Sequence, residues 1–388
     1  MEVLLALGIV VAVFVGFNIG GSSTGVAFGP AVGAGVLRKF GAAALMTTFA
    51  VLGGWTVGRN VVRTMGGEIV PSGMFTIEAS VAVLFFVGLS LLVSNTFGVP
   101  ASTSMTAVGA IAGLGVASGT LNWAVMGRIV IWWLVAPVTA FWVSAVIGRY
   151  FYPYLESWFA IEESEGPMFE VGRLGPLPFP RRSEQTARRE VVSAVLVVVI
   201  ACYMAFSAGA SNTANAVAPL VGSGDIGMNA GILLAGGAIG LGAFTIARRT
   251  LDTVGNDLTQ LPILAALIVE IVSASLITFL SAIGIPASLA VSATMSIVGL
   301  GWGRATRTVT VGQAVRGDTD ALVSVDALAA ERPEEVPKMG EEDPEGLVAA
   351  DLFDPTTTGR VVILWVLTPT MSAVGAFLLF RIVPLYAL

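Results

Sequence analysis

The chain has 388 residues, of which 55% are hydrophobic and only 12% charged, with a formal charge of −6. Soluble domains carry about twice that charged fraction, so a soluble globular protein is excluded and insertion into a lipid bilayer is the first conclusion. With no histidine and one cysteine, Cys202, the commonest metal ligand, the usual neutral-pH proton carrier and any intrachain disulfide are excluded as well.

In chain order, the first element is MEVLLALGIVVAVFVGF. It has no basic leader and no A-x-A site, and reads as a membrane segment, not a removed signal peptide. It runs into Gly20–Gly35, GGSSTGVAFGPAVGAG, where Asn18, Ser22, Ser23 and Thr24 replace greasy side chains. Further apolar segments follow at about Ala42–Val57, Ile77–Val93, Ala107–Val116 and Trp123–Ile147, several near the ~20 residues that span a bilayer. Between two of them lies Gly98-Val-Pro-Ala-Ser-Thr-Ser104. Gly-x-Pro breaks a helix, and Ser102, Thr103 and Ser104 are placed to line the tip of a hairpin entering the membrane. Irregular backbone at that depth must be buried in protein or line a wet cavity; the alternative is an ordinary turn at the membrane surface.

Residues 151–190, with the Pro-rich stretch Gly175–Pro180, read as a soluble linker. The second half then repeats the first. Apolar segments fall at about Val191–Phe206, Gly227–Ala247, Leu261–Leu280, Leu289–Leu300 and Val361–Pro384. Gly209–Gly224, GASNTANAVAPLVGSG, is a second copy of the glycine-rich motif, bearing Ser211, Asn212, Thr213 and Asn215. Pro30 pairs with Pro219, Thr56 with Thr245, Arg59 with Arg248, Thr64 with Thr253 and Gly66 with Gly255, all at an offset of 189. Val99–Ser102 pairs with Ile285–Ser288 at 186, and Arg128–Pro137 with Arg360–Pro369 at 232. The jump of 46 locates an insertion at 304–358, rich in glutamate and too polar to bury a core.

The expected organisation is a transmembrane repeat at 1–150, the linker at 151–190, a second transmembrane repeat at 191–303, the acidic insertion at 304–358 and a final transmembrane helix at 359–388. Arg38 and Lys39 follow the first glycine-rich motif, whereas Asp225 follows the second. Opposite charge at equivalent loops is what inverted halves show under the positive-inside rule. The fold expected is therefore an all-α polytopic protein of the cell membrane. It has two inverted repeats with broken helices and re-entrant hairpins, and about 10–12 membrane segments.

Duplicated, interrupted hydrophobic segments point to the central site of a secondary transporter. Small residues let helices approach closely, which alone is a common reason for such motifs; two related copies, each with polar residues and a proline, favour a site. Hydroxyls, amides and the backbone N–H groups of a broken helix make an uncharged cradle for an anion. Ser288, after Gly284-Ile-Pro-Ala, adds one hydroxyl from the second hairpin, where Leu289 and Ala290 replace Thr103 and Ser104. Glu270 is flanked by apolar sequence on both sides, and a carboxyl there is costly unless functional. Glu78, Arg59, Arg63, Arg248, Arg249, Asp252 and Asp257 lie nearer segment ends and read mostly as interface anchors or helix-end partners. No G-x-x-x-x-G-K-[ST] loop is present, so ATP is not the direct energy source.

These motifs, in duplicated order, resemble the inorganic phosphate transporter family, which includes a sulfate-permease branch. The family's Gly-Ala-Asn-Asp-x-Ala-Asn signature is similar to Gly209-Ala-Ser-Asn-Thr-Ala-Asn215. Its Gly-x-Pro-x-Ser-Thr-Thr hairpin is similar to Gly98–Ser104, and its Thr-x-Gly-x-x-x-Thr-x-Leu element to Thr253–Leu261. The resemblance implies ion-coupled symport of an inorganic tetrahedral oxyanion by alternating access, phosphate by family prior. Asn215, Ser102, Thr103 and Ser288 match motif positions. The family aspartates fall at Ser23 and Asn212, so both carboxylates are replaced, and the histidine that often follows the hairpin is Met105.

Phosphate near neutral pH keeps an O–H that a carboxylate accepts, whereas sulfate has none. A site without carboxylates cannot use that difference to reject sulfate. Asn18–Gly20 and Ser102–Ser104 are similar to the sulfate-permease branch, so sulfate is the alternative substrate. The substrate-binding residues expected are Ser22, Ser23, Thr24, Ser102, Thr103, Ser104, Ser211, Asn212, Thr213, Asn215 and Ser288, with Glu270 and Asn18 as coupling candidates. No cofactor and no metal are expected, only Na⁺ or H⁺ as coupling ion. Expected partners are phosphate or sulfate, the lipid bilayer and a second copy in a homodimer, without nucleic acid. A passive anion channel is the more remote alternative, and an enzyme is not expected.

Overall fold

The structure is a computed structural model that describes residues 2–96, 102–159, 169–174, 177–182, 188–247, 262–308 and 355–387. The hairpin residues 98–101, the charged residues Arg248, Arg249, Asp252 and Asp257, the element Thr253–Leu261 and residues 309–354 of the acidic insertion lie outside the described residues.

The first half contains α1 (Glu2–Gly33), α2 (Lys39–Trp55), α3 (Gly58–Arg63), α4 (Ile77–Thr96), α5 (Thr103–Ser118), α6 (Trp123–Val146) and α7 (Tyr152–Trp158). The second contains α8 (Arg188–Gly222), α9 (Met228–Thr245), α10 (Ile263–Ala282), α11 (Leu289–Ala305) and α12 (Pro355–Ile382). Apolar residues surround most of these helices on every side, the pattern of helices bathed in lipid or sealed inside a bundle. Six helices among the described residues are long and apolar enough to cross a membrane, or seven if the bent pair α2–α3 counts as one span. The shorter apolar helices Ile77–Val93 and Thr103–Ser118 supply further segments.

Two features differ from the sequence expectation. The glycine-rich motifs do not break their helices: α1 and α8 run unbroken through both, with Pro30 and Pro219 held inside the helices near their C-terminal ends. A proline there forfeits a backbone bond only close to the terminus, where carbonyls are already short of partners. Gly35 and Gly224, related by the repeat, then follow with φ of 68° and 83°, the left-handed geometry that ends a helix. The break falls instead between α2 and α3, bent by 60° after Trp55, and α9 stops at Thr245, the equivalent of Thr56 just past the end of α2. The second difference is in the linker. It contains an antiparallel hairpin, β1 (Phe169–Leu174) with β2 (Leu177–Arg182), in which Leu174 pairs with Leu177.

The halves are interleaved. α1 packs on α9 and α2 on α8; α5 packs on α12 and α6 on α11. Glycines make these approaches possible, and they recur at the repeat offsets. A Cβ at Gly20 would collide with the Ile239 carbonyl, and one at Gly209 with the Ala50 carbonyl. The pairs Gly53 with Phe206 and Gly242 with Phe17, and Gly113 with Ala373 and Gly299 with Phe141, follow the same rule. Lipid offers helices no hydrophobic drive to associate, so close van der Waals packing of small residues holds such a bundle together.

Candidate functional site

The site forms where two helix starts meet the middle of α8. α5 begins after Ser102, whose hydroxyl accepts from the Met105 N–H at 3.3 Å. α11 begins after Ser288, whose hydroxyl accepts from the Val291 N–H at 3.3 Å. Both are N-caps of the kind serine favours. Ser211 on α8 ties the two together: its Oγ lies 3.2 Å from Ser104 Oγ and donates to the Ala287 carbonyl at 2.8 Å.

The remaining polar groups close around the α5 start. Thr103 Oγ1 donates to Asn212 Oδ1 at 2.7 Å. Asn215 Nδ2 lies within donating distance of Asn212 Oδ1 at 3.0 Å, Ser104 Oγ at 3.1 Å and Thr103 Oγ1 at 3.2 Å. Its Oδ1, buried like the rest of the side chain, has no hydrogen-bond partner among the described residues. Asn215 is 1% exposed and Asn212 6%, so these bonds form away from bulk water, where each polar contact weighs more. None of these side chains carries a formal charge. The positive field comes from the N-terminal ends of α5 and α11, with their unpaired N–H groups and summed dipoles. A neutral cluster at converging helix N-termini is suited to a desolvated anion.

Side chains from the first half fix the second hairpin, which turns through Gly284 at φ 74°. Asn60 Nδ2 donates to the Ala282 carbonyl and Trp133 Nε1 to the Pro286 carbonyl, each at 2.8 Å. With Ser211 on Ala287, three tip carbonyls receive donors from other helices, as irregular backbone at membrane depth requires. Sequence reading missed Asn60 and Trp133. Trp133 was findable: it belongs to the repeated Arg128–Pro137 element, and its equivalent is Trp365.

The structure gathers Ser102, Thr103, Ser104, Ser211, Asn212, Asn215 and Ser288. Several of the other expected residues bond within their own helices. Thr213 donates to the Gly209 carbonyl at 2.7 Å and packs against Gly54, facing α2. In the first motif, Thr24 donates to Gly20 O at 2.6 Å, and Ser22 to Asn18 O and Ile19 O at 3.2 and 3.1 Å. Asn18 donates to Phe14 O at 2.8 Å, and Ser23 is half-buried. The hydroxyls of Ser22 and Thr24 and the Asn18 amide thus bond their own helix. The partners that engage Asn212 and Asn215 are Thr103 and Ser104, whose equivalents Leu289 and Ala290 offer the first motif no polar group. Glu270 stands apart from the cluster on α10, 4% exposed, with neither carboxyl oxygen hydrogen-bonded.

Against known proteins, the profile of the Phosphate transporter family matches residues 19–374. A protein named sulfate permease CysP from Bacillus subtilis is 29% identical over 294 residues, covering 76% of each chain. A candidate phosphate permease of Chlamydia trachomatis is 25% identical, over 80% of this chain and 92% of its own. A solved structure of a sodium-dependent phosphate transporter superposes with a TM-score of 0.62 over 99% of this chain and all of that one, at 18% identity. At that identity the likeness is one of fold.

Proposed function

The chain belongs to the phosphate transporter family, and on that premise we propose that it is a secondary transporter of an inorganic tetrahedral oxyanion, with phosphate as the substrate. It is an integral multi-pass membrane protein, in keeping with its apolar spans. The halves act as inverted repeats, and alternating access carries the anion past a site between them. One observation carries the reading: the starts of α5 and α11 both rest on Ser211 of α8. Two helix N-termini and a set of hydroxyls and amides thereby face one buried point.

In this mechanism the anion gives up hydration for the N–H groups of the α5 and α11 starts, and the hydroxyls of Thr103 and Ser104 turn to it from Asn212 Oδ1 and Ser211 Oγ, to which they otherwise donate. Asn212 and Asn215 hold those hydroxyls in place. The unpartnered Asn215 Oδ1 is an acceptor in need of a hydrogen; monohydrogen and dihydrogen phosphate bring one on an O–H, and sulfate does not. Sulfate remains the second reading, supported by the sulfate permease among the relatives and by the neutrality of the cluster, which sets no carboxylate against a fully ionised anion. Transport is coupled to Na⁺ or H⁺.

Uptake of labelled phosphate into proteoliposomes tests the site. Thr103→Val and Asn215→Ala are expected to cut uptake sharply with the protein still inserted. Wild-type uptake by both variants would separate the cluster from the transport path.

A further inference from the structure

We propose that Glu270 is the proton-binding group through which this transporter draws on a pH gradient; this rests on the transport reading above and adds its driving ion. Glu270 sits two turns into α10 (Ile263–Ala282). It is 4% exposed, and Oε1 and Oε2 both lack a hydrogen-bond partner among the described residues. On the same face of α10, at positions 8 and 11 further on, the Thr278 Oγ1 and Ser281 Oγ are also buried and unpartnered. At a rise of 1.5 Å per residue this stripe is about 16 Å long. It ends at the turn that carries Ala287 onto Ser211. Between its ends, Ser207 of α8 donates to the Ala274 carbonyl at 3.0 Å, one turn before Ser211. Buried polar groups are nearly always paired, and three unpaired ones on one helix face, leading from a carboxyl to the substrate cluster, call for a moving partner.

Among the described residues, the elements packed on α10 offer Glu270 no fixed counter-charge. Near that contact α8 presents Cys202 and Tyr203, and the Tyr203 hydroxyl donates to Ser275 at 3.3 Å; the α8 charges Arg188, Arg189 and Glu190 stand at its far N-terminal end. On α3, Arg59 bonds Trp55 O and Asn229, and Arg63 bonds Asn60. Arg128 of α6 pairs with Glu68, Arg304 of α11 lies over Tyr152, and Glu2 opens α1. A sodium ion needs several converging oxygens, as hard cations do. On the inward stripe the next side-chain oxygen, on Thr278, is eight residues or about 12 Å along the helix, and Ser273 turns its hydroxyl to Val269 O. A proton needs only the carboxyl. An ionised carboxylate sealed in apolar surroundings is far costlier than the neutral acid, so Glu270 takes a proton from water on one side and returns it to water on the other as access alternates. No other bond is made or broken.

The test uses full-length protein in proteoliposomes, with labelled phosphate and labelled sulfate. Sodium is absent, membrane potential is clamped, and the outside is made acid. Wild type is expected to accumulate anion. Glu270→Gln is expected to fall to the level of protein-free liposomes in accumulation, yet to keep exchange of labelled for unlabelled anion across equal pH. Gradient-driven accumulation by Glu270→Gln at the wild-type rate overturns the proposal. So does loss of exchange in a variant that elutes and melts like wild type, and so does wild-type uptake that needs Na⁺ and ignores pH. Should Glu270→Gln not insert, Glu270→Asp decides: a shifted pH profile of uptake supports the proposal and an unchanged one overturns it. Failure of the wild type to move either anion under any gradient overturns the transport reading itself.

Discussion

Asn215 makes the most demanding use of its chemistry of any side chain in the cluster. Its amide nitrogen holds Asn212, Thr103 and Ser104 together, while its oxygen has no donor among the described residues. If that oxygen receives the phosphate O–H, Asn215→Ala should depress phosphate uptake more than sulfate uptake in parallel assays; equal loss for both anions would assign Asn215 to positioning alone. Thr213 makes a contrasting case two residues away. Its hydroxyl is spent on Gly209 O, so the isosteric Thr213→Val should keep phosphate uptake near wild type. Ser211→Ala removes the donor to Ala287 and the partner of Ser104, and leaving buried polar groups unpaired costs about 1–3 kcal/mol; a lower melting temperature in detergent is the expected result. Sequence alone pointed to Ser211, Asn212 and Asn215, because polar residues in a greasy segment stand out. It could not tell which face of α8 each occupied, and so grouped Thr213 with them. The first motif carries the same kinds of polar residue, but Leu289 and Ala290 stand where Thr103 and Ser104 stand in the other hairpin.

Among the helices, the second glycine-rich motif packs closely on one side and presents polar side chains on the other. Gly209 faces α2 while Ser211 and Asn215 face the α5 start, so a stretch of less than two turns of α8 does both. A continuous helix achieves this because glycine lets the α2 backbone come close without bending α8. The expected helix break was drawn from the proline and the glycines, yet local backbone freedom matters less than the helix partners on either side. Helix N-termini come instead from the hairpin helices, whose N-caps Ser102 and Ser288 were legible as hydroxyls after Gly-x-Pro. Gly20→Ala and Gly209→Ala should each destabilise the bundle by about 1–3 kcal/mol through overpacking. Gly237→Ala, which meets nothing within 4 Å, should leave thermal unfolding in detergent unchanged. Equal stability of all three variants would contradict the close approaches. Trp133→Phe should loosen the second hairpin by roughly 1 kcal/mol, the worth of one hydrogen bond, and should show as faster amide exchange at 283–288.

At the scale of the whole molecule, the duplication read from residue offsets reappears in the packing: Gly20 against Ile239 and Gly209 against Ala50 are the same contact made twice. That much was legible, since a repeat in sequence constrains pairs of helices to meet alike. The hairpin in the linker was not, because nothing in a Pro-rich stretch fixes pairing until Phe169–Leu174 and Leu177–Arg182 are side by side. The two copies have diverged at the site, where hydroxyls from one hairpin, Thr103 and Ser104, meet the motif of the opposite half. The proposed transport path has one polar centre shared between halves. Proteoliposome uptake of labelled phosphate over a range of concentrations tests that claim most directly. The account predicts saturable uptake that unlabelled phosphate inhibits and that Thr103→Val and Asn215→Ala abolish together. Flux that rises linearly with concentration, or that both variants support at the wild-type rate, would contradict it.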